Sequence, residues 1–575
     1  MGGKPKPGFW VAVAVVVAAL IAFAVYRAGW FGVLERSGLE GISAGPGAKP
    51  APSGKPLEIS FYNSSAKRNW INEMVKEFHA GGAAVGNRPI KVTVAHVTSG
   101  GSLDDLKDGK IKPDLWSPGD DSWLHLAAMH WRDVKQKTLF DGFTPLVNIP
   151  LIVAMWEPMA KALGHPQPIG WRDIAKVAAN PQGWAALGHP EWGKFRWGHA
   201  HPDANSGFLT IVSEIYAVLG KTQNISTEDL KNPKVINFLR EFEGAVEHYG
   251  LSNDWIDDLM HAKGPSYLSA TVQYENTIIE SNAKHKNKPF KMVAVYPREG
   301  NFWTQHPVAI LKEEWMTPEK EEAARKFIDF LLGKKAQSTA MKMGLRPINR
   351  EMKLDAPFDD DHGVQPDIGT DKMFQVPDEA VLRRIRDLWE EVKIPATVCL
   401  VLDRSGSMNG EPMDNAKLGA VEFIKSMKPR DMLHLTVFNH NVTTLADFCG
   451  IRDCGETAAD KMKNVFAEGK TSLYDAVHDR YNMLLELRKK DPRRRYALVV
   501  LSDGKDTSSR MNRYDFLDAL PRGEDFDAPK IYGIAYGAEA DRDLLAEISN
   551  RTNGRLFTSS TKDIAKTYQE MSANF

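Results

Sequence analysis

The chain has 575 residues, 43% hydrophobic and 26% charged, a mix that excludes a disordered or fibrous protein. At ~150 residues per domain this length predicts three or four units. Lys+Arg is 73 and Asp+Glu is 74, a net charge of −1 that argues against a general nucleic-acid binder, and three cysteines exclude a disulfide scaffold.

The first predicted element is apolar. Residues 1–8 form a short N-terminus with Lys4 and Lys6, and Phe9–Val25 carries no charge. As a helix this run is about 25 Å long, within the range that spans a bilayer. It predicts a transmembrane anchor over 9–29. Trp10, Tyr26 and Trp30 would sit at the interfaces, and Arg27 would snorkel. The lysines place the N-terminus in the cytoplasm, so the expected location is a single-pass cell-membrane protein with its main domains periplasmic or extracellular. A cleaved signal peptide is the other reading of the same run. Residues 37–56, mostly Gly, Pro, Ser and Ala, read as a flexible linker.

From Leu57 the pattern becomes α/β. Leu57, Ile59 and Phe61 alternate as in a strand, and Trp70, Ile71, Met74, Val75 and Phe78 recur at helical spacing. Val92, Val94 and Val97 mark a second strand. The turns Asn63-Ser64-Ser65 and Ser99-Gly100-Gly101-Ser102 lie at expected helix starts, where free N–H groups cap the helix or meet an anion. Eight Trp fall between Trp116 and Trp197, and core packing accounts for most of them. His199-x-His201-x-Asp203 resembles a metal motif but reads as a surface turn.

The phrases PDLWSPGDDSWL (113–124), VNIPLIVAM (147–155), WGHAHPDANSG (197–207), VQYENTIIE (272–280) and MVAVYPREGNFWTQHPVAI (292–310) follow in this order. Residues 57–350 thereby resemble a bacterial extracellular solute-binding protein of the molybdate/sulfate-binder type. The resemblance implies a two-lobed periplasmic-binding-protein-like (type II) domain with a small solute in the cleft, an oxyanion, a sugar or another. Carried onto this chain, the ligand shell would draw on Ser64, Ser65, Ser99, Gly100, Asp120, Asp121, Asn205, Ser206, Tyr274 and Glu275. The hydroxyls and turn amides suit an oxyanion, whereas the three acids repel one.

Residues 351–394 read as an exposed acidic connector followed by a hinge helix with Val381, Ile385, Leu388, Trp389 and Val392 on one side. Then TVCLVLDRSGS (397–407) sets an apolar strand against Asp403-x-Ser405-x-Ser407. Thr471 follows in EGKTSLYDA, and Asp503 in VVLSDGKDT. Strands near 432–438, 496–502, 530–536 and 555–558 alternate with helices, as in a doubly wound parallel sheet that binds ligands at the strands' carboxyl ends. Arg493-Arg494-Arg495 reads as a solvated turn.

Residues 395–575 resemble a von Willebrand factor A (VWA) domain of Rossmann-like fold with its metal-ion-dependent adhesion site (MIDAS). The resemblance implies that Ser405, Ser407 and Thr471 bind a divalent ion directly, and that Asp403 and Asp503 act through water. The oxygen donors suit Mg²⁺ first, then Mn²⁺ or Ca²⁺. An unidentified protein partner would offer an acidic side chain to that ion. Cys449 and Cys454 would form a disulfide in an oxidising compartment or remain thiols. No catalytic residue is expected: Gly469-Lys470-Thr471-Ser472 lacks the first Gly of a P-loop, because position 464 is Asn, and there is no G-x-S-x-G elbow. The expected function is a membrane-anchored extracytoplasmic binding protein, the alternative a transport component with the VWA domain as docking module. A metal-dependent enzyme is the third reading.

Overall fold

The computed structural model describes residues 54–575, except 251–252, 350, 369–371, 522, 524–526, 573 and 575. The 9–29 anchor and the 37–56 linker up to Ser53 lie outside the described residues. Among the described residues no helix is long and apolar enough to cross a membrane.

Three sheets organise the chain. In the first, β1 (Leu57–Ser64) buries the alternating Leu57, Ile59 and Phe61. Helix α1 (Arg68–Ala80) covers it with Trp70, Ile71, Met74 and Phe78. Strands β2 (Arg88–Val97) and β3 (Leu115–Ser117) flank β1 in parallel, joined through α2 (Ser99–Lys107). After β3, α3 (Asp121–His130) starts at Asp120, whose Oδ1 accepts from Ser122 N–H at 3.0 Å.

The second sheet is built on β4 (Val147–Trp156), all ten residues of which are buried. It continues with β5 (Trp197–Ala200), α4 (Asn205–Leu219), α5 (Pro233–Glu243), β6 (Val246–Gly250), α6 (Asn253–Lys263), β7 (Ala270–Tyr274), α7 (Glu275–Lys284) and β8 (Met292–Val295). The strand order is β8-β4-β7-β5-β6. The chain then returns to the first sheet as β9 (Val308–Ile310), antiparallel to β3. The outgoing and returning segments touch where Leu146 N–H donates to Gln305 O at 3.1 Å. Two lobes joined by crossing strands result.

The segment after residue 350 is not an exposed connector. Its acids face outward, but Phe358, Val364 and Phe374 between them are buried. Ala294 N–H donates to Gly363 O at 2.7 Å, Gln375 N–H donates to Thr222 O at 2.9 Å, and Phe374 stacks on Tyr216. The stretch is a strap across the second lobe. Helix α8 (Glu379–Val392) buries its whole apolar side in the core of the two lobes.

The third sheet has the order β12-β11-β10-β13-β14-β15, comprising β10 (Ala396–Asp403), β11 (Met432–Phe438), β12 (Val442–Gly450), β13 (Arg495–Ser502), β14 (Lys530–Tyr536) and β15 (Leu556–Ser559). All pair in parallel except the edge strand β12. Along β10, Val398, Leu400 and Leu402 enter one core, while Cys399 and Val401 enter the other. Such a strand is buried on both faces and reads as one apolar run. Helices α9 (Glu411–Ser426) and α10 (Leu473–Lys490) cover opposite faces. Cys449 and Cys454 are joined in a disulfide, and Cys399 is a buried thiol.

The amino ends of the third sheet rest on the second lobe. Lys530 Nζ donates to Glu247 O at 3.2 Å and pairs with its carboxylate. Arg495 reaches the carbonyl of Val246 and lies 5.1 Å from the Tyr249 ring centroid. Arg555 lies 4.8 Å from the ring of Trp255. Arg494 donates to Ala396 O and Arg430 O, both at 2.8 Å. Arg493 is exposed in the turn, as expected, whereas Arg494 and Arg495 form an internal brace, because their neighbours supply carbonyls and an aromatic face.

Candidate metal site and solute cleft

At the carboxyl ends of the third sheet, β10 stops at Asp403, which is fully buried. Asp403 Oδ1 accepts from Ser405 N–H at 2.8 Å, and Oδ2 accepts from Ser502 Oγ at 2.7 Å. Ser405 Oγ and Ser407 Oγ are 3.1 Å apart, and Ser407 Oγ donates to Asp503 Oδ1 at 2.9 Å. Gly406 N–H donates to Gly469 O at 2.9 Å, which seats the loop before α10 against the Asp403 loop. Thr471 is buried in that seat. Its N–H donates to Thr507 Oγ1 at 2.9 Å, and its carbonyl accepts from Thr507 and Ser508. The structure thus links Asp403, Ser405, Ser407 and Asp503 by direct hydrogen bonds and brings in Thr471 through backbone contacts.

These residues fit a hard divalent cation. All five offer oxygen, and the 3.1 Å separation of the Ser405 and Ser407 hydroxyls matches the ~3 Å edge of an octahedron with bonds of about 2.1 Å. Burial pushes the Asp403 carboxyl up to about 6 against the Ser502 and Ser405 hydrogen bonds, and burial also raises Asp503. Two carboxylates enclosed together favour a cation beside them.

The cleft residues divide into three groups. The first closes the lobes. Trp123 Nε1 donates to Asn205 Oδ1 and Asn205 Nδ2 donates to Tyr274 OH, both at 2.6 Å. Gly100 N–H donates to Asp203 O at 2.8 Å, while within the first lobe Ser99 Oγ accepts from Gly119 N–H at 3.0 Å. Ser206 turns instead to Asn253. The second group lines a cavity of about 700 Å³ beside this closure, where Asp120, Asp121 and His125 face Phe302, Trp303, Phe374 and Asp378. Burial and the neighbouring Asp121 push Asp120 up to about 8.

The third group stands apart. Glu275 is fully buried, but Arg346 grips it with Nε at 2.6 Å and Nη2 at 2.8 Å, and Tyr296 donates to it as well. Its place in a ligand shell is corrected: the guanidinium that neutralises it comes from 71 residues further along the chain. Ser64 ends β1, and Ser65 opens the single turn Ser65–Lys67. From that turn Lys67 is buried and donates to Ser117 O at 3.1 Å. His306, at the crossing, is fully buried with both ring nitrogens unpartnered. Sequence reading missed both; their only signals are a lysine closing NSSAK and a histidine before Pro307. Seven of the eight Trp between 116 and 197 are buried core residues, Trp192 being partly buried. His199 is no surface residue either: it is fully buried, with Nε2 3.2 Å from Glu243 Oε1.

Comparison with known proteins agrees with this division. The family model for the bacterial extracellular solute-binding protein matches residues 59–346, and that for the von Willebrand factor type A domain matches 397–570. An uncharacterized protein, sll0103, from Synechocystis sp. is 25% identical over 164 residues, 28% of this chain and 37% of its own length. Inter-alpha-trypsin inhibitor heavy chain H3 from Bos taurus is 22% identical over 28% of this chain, of which this chain covers 18%. A solved periplasmic thiamin binding protein is 14% identical over 60% of this chain and 97% of its own, with a TM-score of 0.43. Both matched families are of binding or adhesion type. The first match spans half of the sequence: the chain belongs to the bacterial extracellular solute-binding proteins and carries a von Willebrand factor type A domain behind the binding lobes.

Proposed function

We propose that this is an extracytoplasmic tandem binder, held to the membrane by residues 9–29, whose VWA domain captures a protein partner through a divalent ion. The observation that carries the reading is the run of oxygen donors Ser405–Ser407–Asp503 beside the buried Asp403. Ser405, Ser407 and Thr471 would hold Mg²⁺, with Mn²⁺ or Ca²⁺ as substitutes. Asp403 and Asp503 would orient its waters. The bound ion supplies an open, weakly neutralised position that an acidic side chain of the partner fills. Ser502 and the Ser405 amide hold Asp403 in place for this role.

The lobes bind a small solute in the interlobe cavity. Its acids and aromatic rings favour an amine or a hydroxyl-rich ligand over an oxyanion, and a protonated Asp120 can donate to a hydroxyl.

Calorimetry of the full chain with Mg²⁺ and Mn²⁺, beside Asp403→Ala, tests the metal reading. Binding in the wild type that is lost in the variant supports it. A folded wild type that binds neither ion overturns it.

A further inference from the structure

A second cluster of metal-type ligands lies on the flank of the second lobe. Asp257 and His261 stand four residues apart on α6, so they share one helix face. His285 is the residue that ends α7. One ligand atom from each of the three lies within 4.8 Å of the others. Asp257 is 4% exposed and His261 6%, and each carries a buried ligand atom without a hydrogen-bond partner: Oδ1 and Nδ1. Nε2 of His285 is likewise buried and unpartnered. Unsatisfied buried polar atoms are costly, and each of the three residues in this cluster carries one.

We propose that Asp257, His261 and His285 form a transition-metal site of the zinc class, distinct from both the VWA site and the solute cleft.

Three observations define its chemistry. Two imidazoles and a carboxylate make a borderline N/O set that suits Zn²⁺ and not Mg²⁺. His261 Nε2 is bonded to Ser281 Oγ at 2.9 Å, and Nδ1 has no hydrogen-bond partner. A ligating histidine held through its other nitrogen is the usual arrangement at such sites. Asp258 Oδ1 lies 3.6 Å from His285 Nε2 and is also paired with Lys284, so a further carboxylate adjoins the cluster.

The two rings stack with centroids 3.9 Å apart and planes 16° from parallel. Their lone pairs therefore do not yet point at one centre. Capture of the ion turns His285, which sits at a helix end with 16% of its side chain exposed, while His261 stays fixed by Ser281. His285 follows Glu275 by ten residues of helix, about 15 Å, so it lies at the opposite end of α7 from the Glu275–Arg346 pair. A bound ion would pin α6 to α7. Helix α6 is also the one whose Lys263 donates to Asn550 O at 3.1 Å and whose Trp255 lies under Arg555, so the ion would stiffen the seat of the VWA domain.

The test uses the full chain, stripped of metal and kept in excess Mg²⁺ so that hard-cation sites are filled. Titration with Zn²⁺ by calorimetry, and with Co²⁺ by visible absorption, should give one site per chain with nitrogen-ligand bands. His285→Ala should weaken it about 100-fold or more, and Ser281→Ala about 10- to 100-fold. Asp403→Ala should leave it unchanged. Absence of Zn²⁺ binding, or binding equal in wild type and His285→Ala, overturns the proposal, as does loss of the site in Asp403→Ala. Position 285 is partly exposed, so this variant stays informative if His261→Ala fails to fold.

Discussion

Lys530, the first residue of β14, is ion-paired with Glu247 on β6 and also donates to its backbone carbonyl. Their side chains are 14% and 11% exposed, and Arg196 Nε lies 3.5 Å from the other carboxylate oxygen. One glutamate therefore faces two cations at the contact between the binding lobes and the VWA domain, Arg196 being shared with Asp527.

Removing that charge takes the carboxylate from the buried Lys530, while Arg196 keeps Asp527. Glu247→Gln should cost about 3–5 kcal/mol. Urea unfolding followed by tryptophan fluorescence and by circular dichroism should show an earlier, split transition as the VWA domain releases first. An unchanged single midpoint would show that the pair contributes nothing.

Closure of the lobes depends on Asn205, which accepts from the Trp123 indole and donates to the Tyr274 hydroxyl. Asn205→Ala strands both groups and should cost about 2–4 kcal/mol. Gly119→Ala should open the lobes by steric means, because a Cβ there falls 2.8 Å from the Asn205 side chain. Small-angle scattering should report a larger radius of gyration for both variants. The same radius as the wild type would place the closure elsewhere.

Helix α8 is held by Trp389, whose indole donates to Glu243 Oε2 at 2.9 Å. Trp389→Phe should lose about 1–2 kcal/mol through that bond. Trp389→Ala should lose about 3–5 kcal/mol as a cavity is added. Chemical denaturation of both variants measures the difference; equal losses would mean that the hydrogen bond, not packing, anchors the helix.

His434 sets a pH dependence. Its ring is buried on β11, 2.8 Å from Thr436 Oγ1, 3.0 Å from Arg480 Nη1 and 3.1 Å from Asp447 Oδ1. Burial first, then the Arg480 guanidinium, hold its pKa down to about 4, against the pull of Asp447. Below ~6.5 the unfolded chain takes up a proton that the folded ring refuses. The stabilisation is therefore complete above that pH and is lost as pH falls towards 4. His434→Gln should flatten the decline by at most ~1.4 kcal/mol per pH unit. Urea midpoints at several values from neutral to acidic measure the slope, and identical slopes would refute the assignment.

The VWA region was largely legible because its doubly wound sheet turns each strand into one apolar run and sets its polar residues at strand ends. Asp403 and Asp503 stand directly after such runs. Strand β12 escaped notice because it is a half-exposed edge with no apolar run and pairs antiparallel. The cleft was less legible. Glu275 reads like a ligand in sequence, and only folding brings Arg346 to it. The strap after residue 350 misled for a related reason: its acids outweigh Phe358, Val364 and Phe374 in composition, but the three apolar side chains decide where it lies.

The run of β10 has a mechanical consequence. Its first residue, Ala396, lies at the end of the VWA domain braced by Arg494 and Arg495, and its last, Asp403, at the metal-type site. Eight residues at ~3.3 Å each make an arm of about 26 Å. A tilt of about 10° at the braced end would carry the tip through roughly 4–5 Å, more than the length of a hydrogen bond. Small adjustments where Glu247 meets Lys530 would thus be magnified at the metal-type site, and anything engaged at the tip would gain the same leverage over the lobes beneath it.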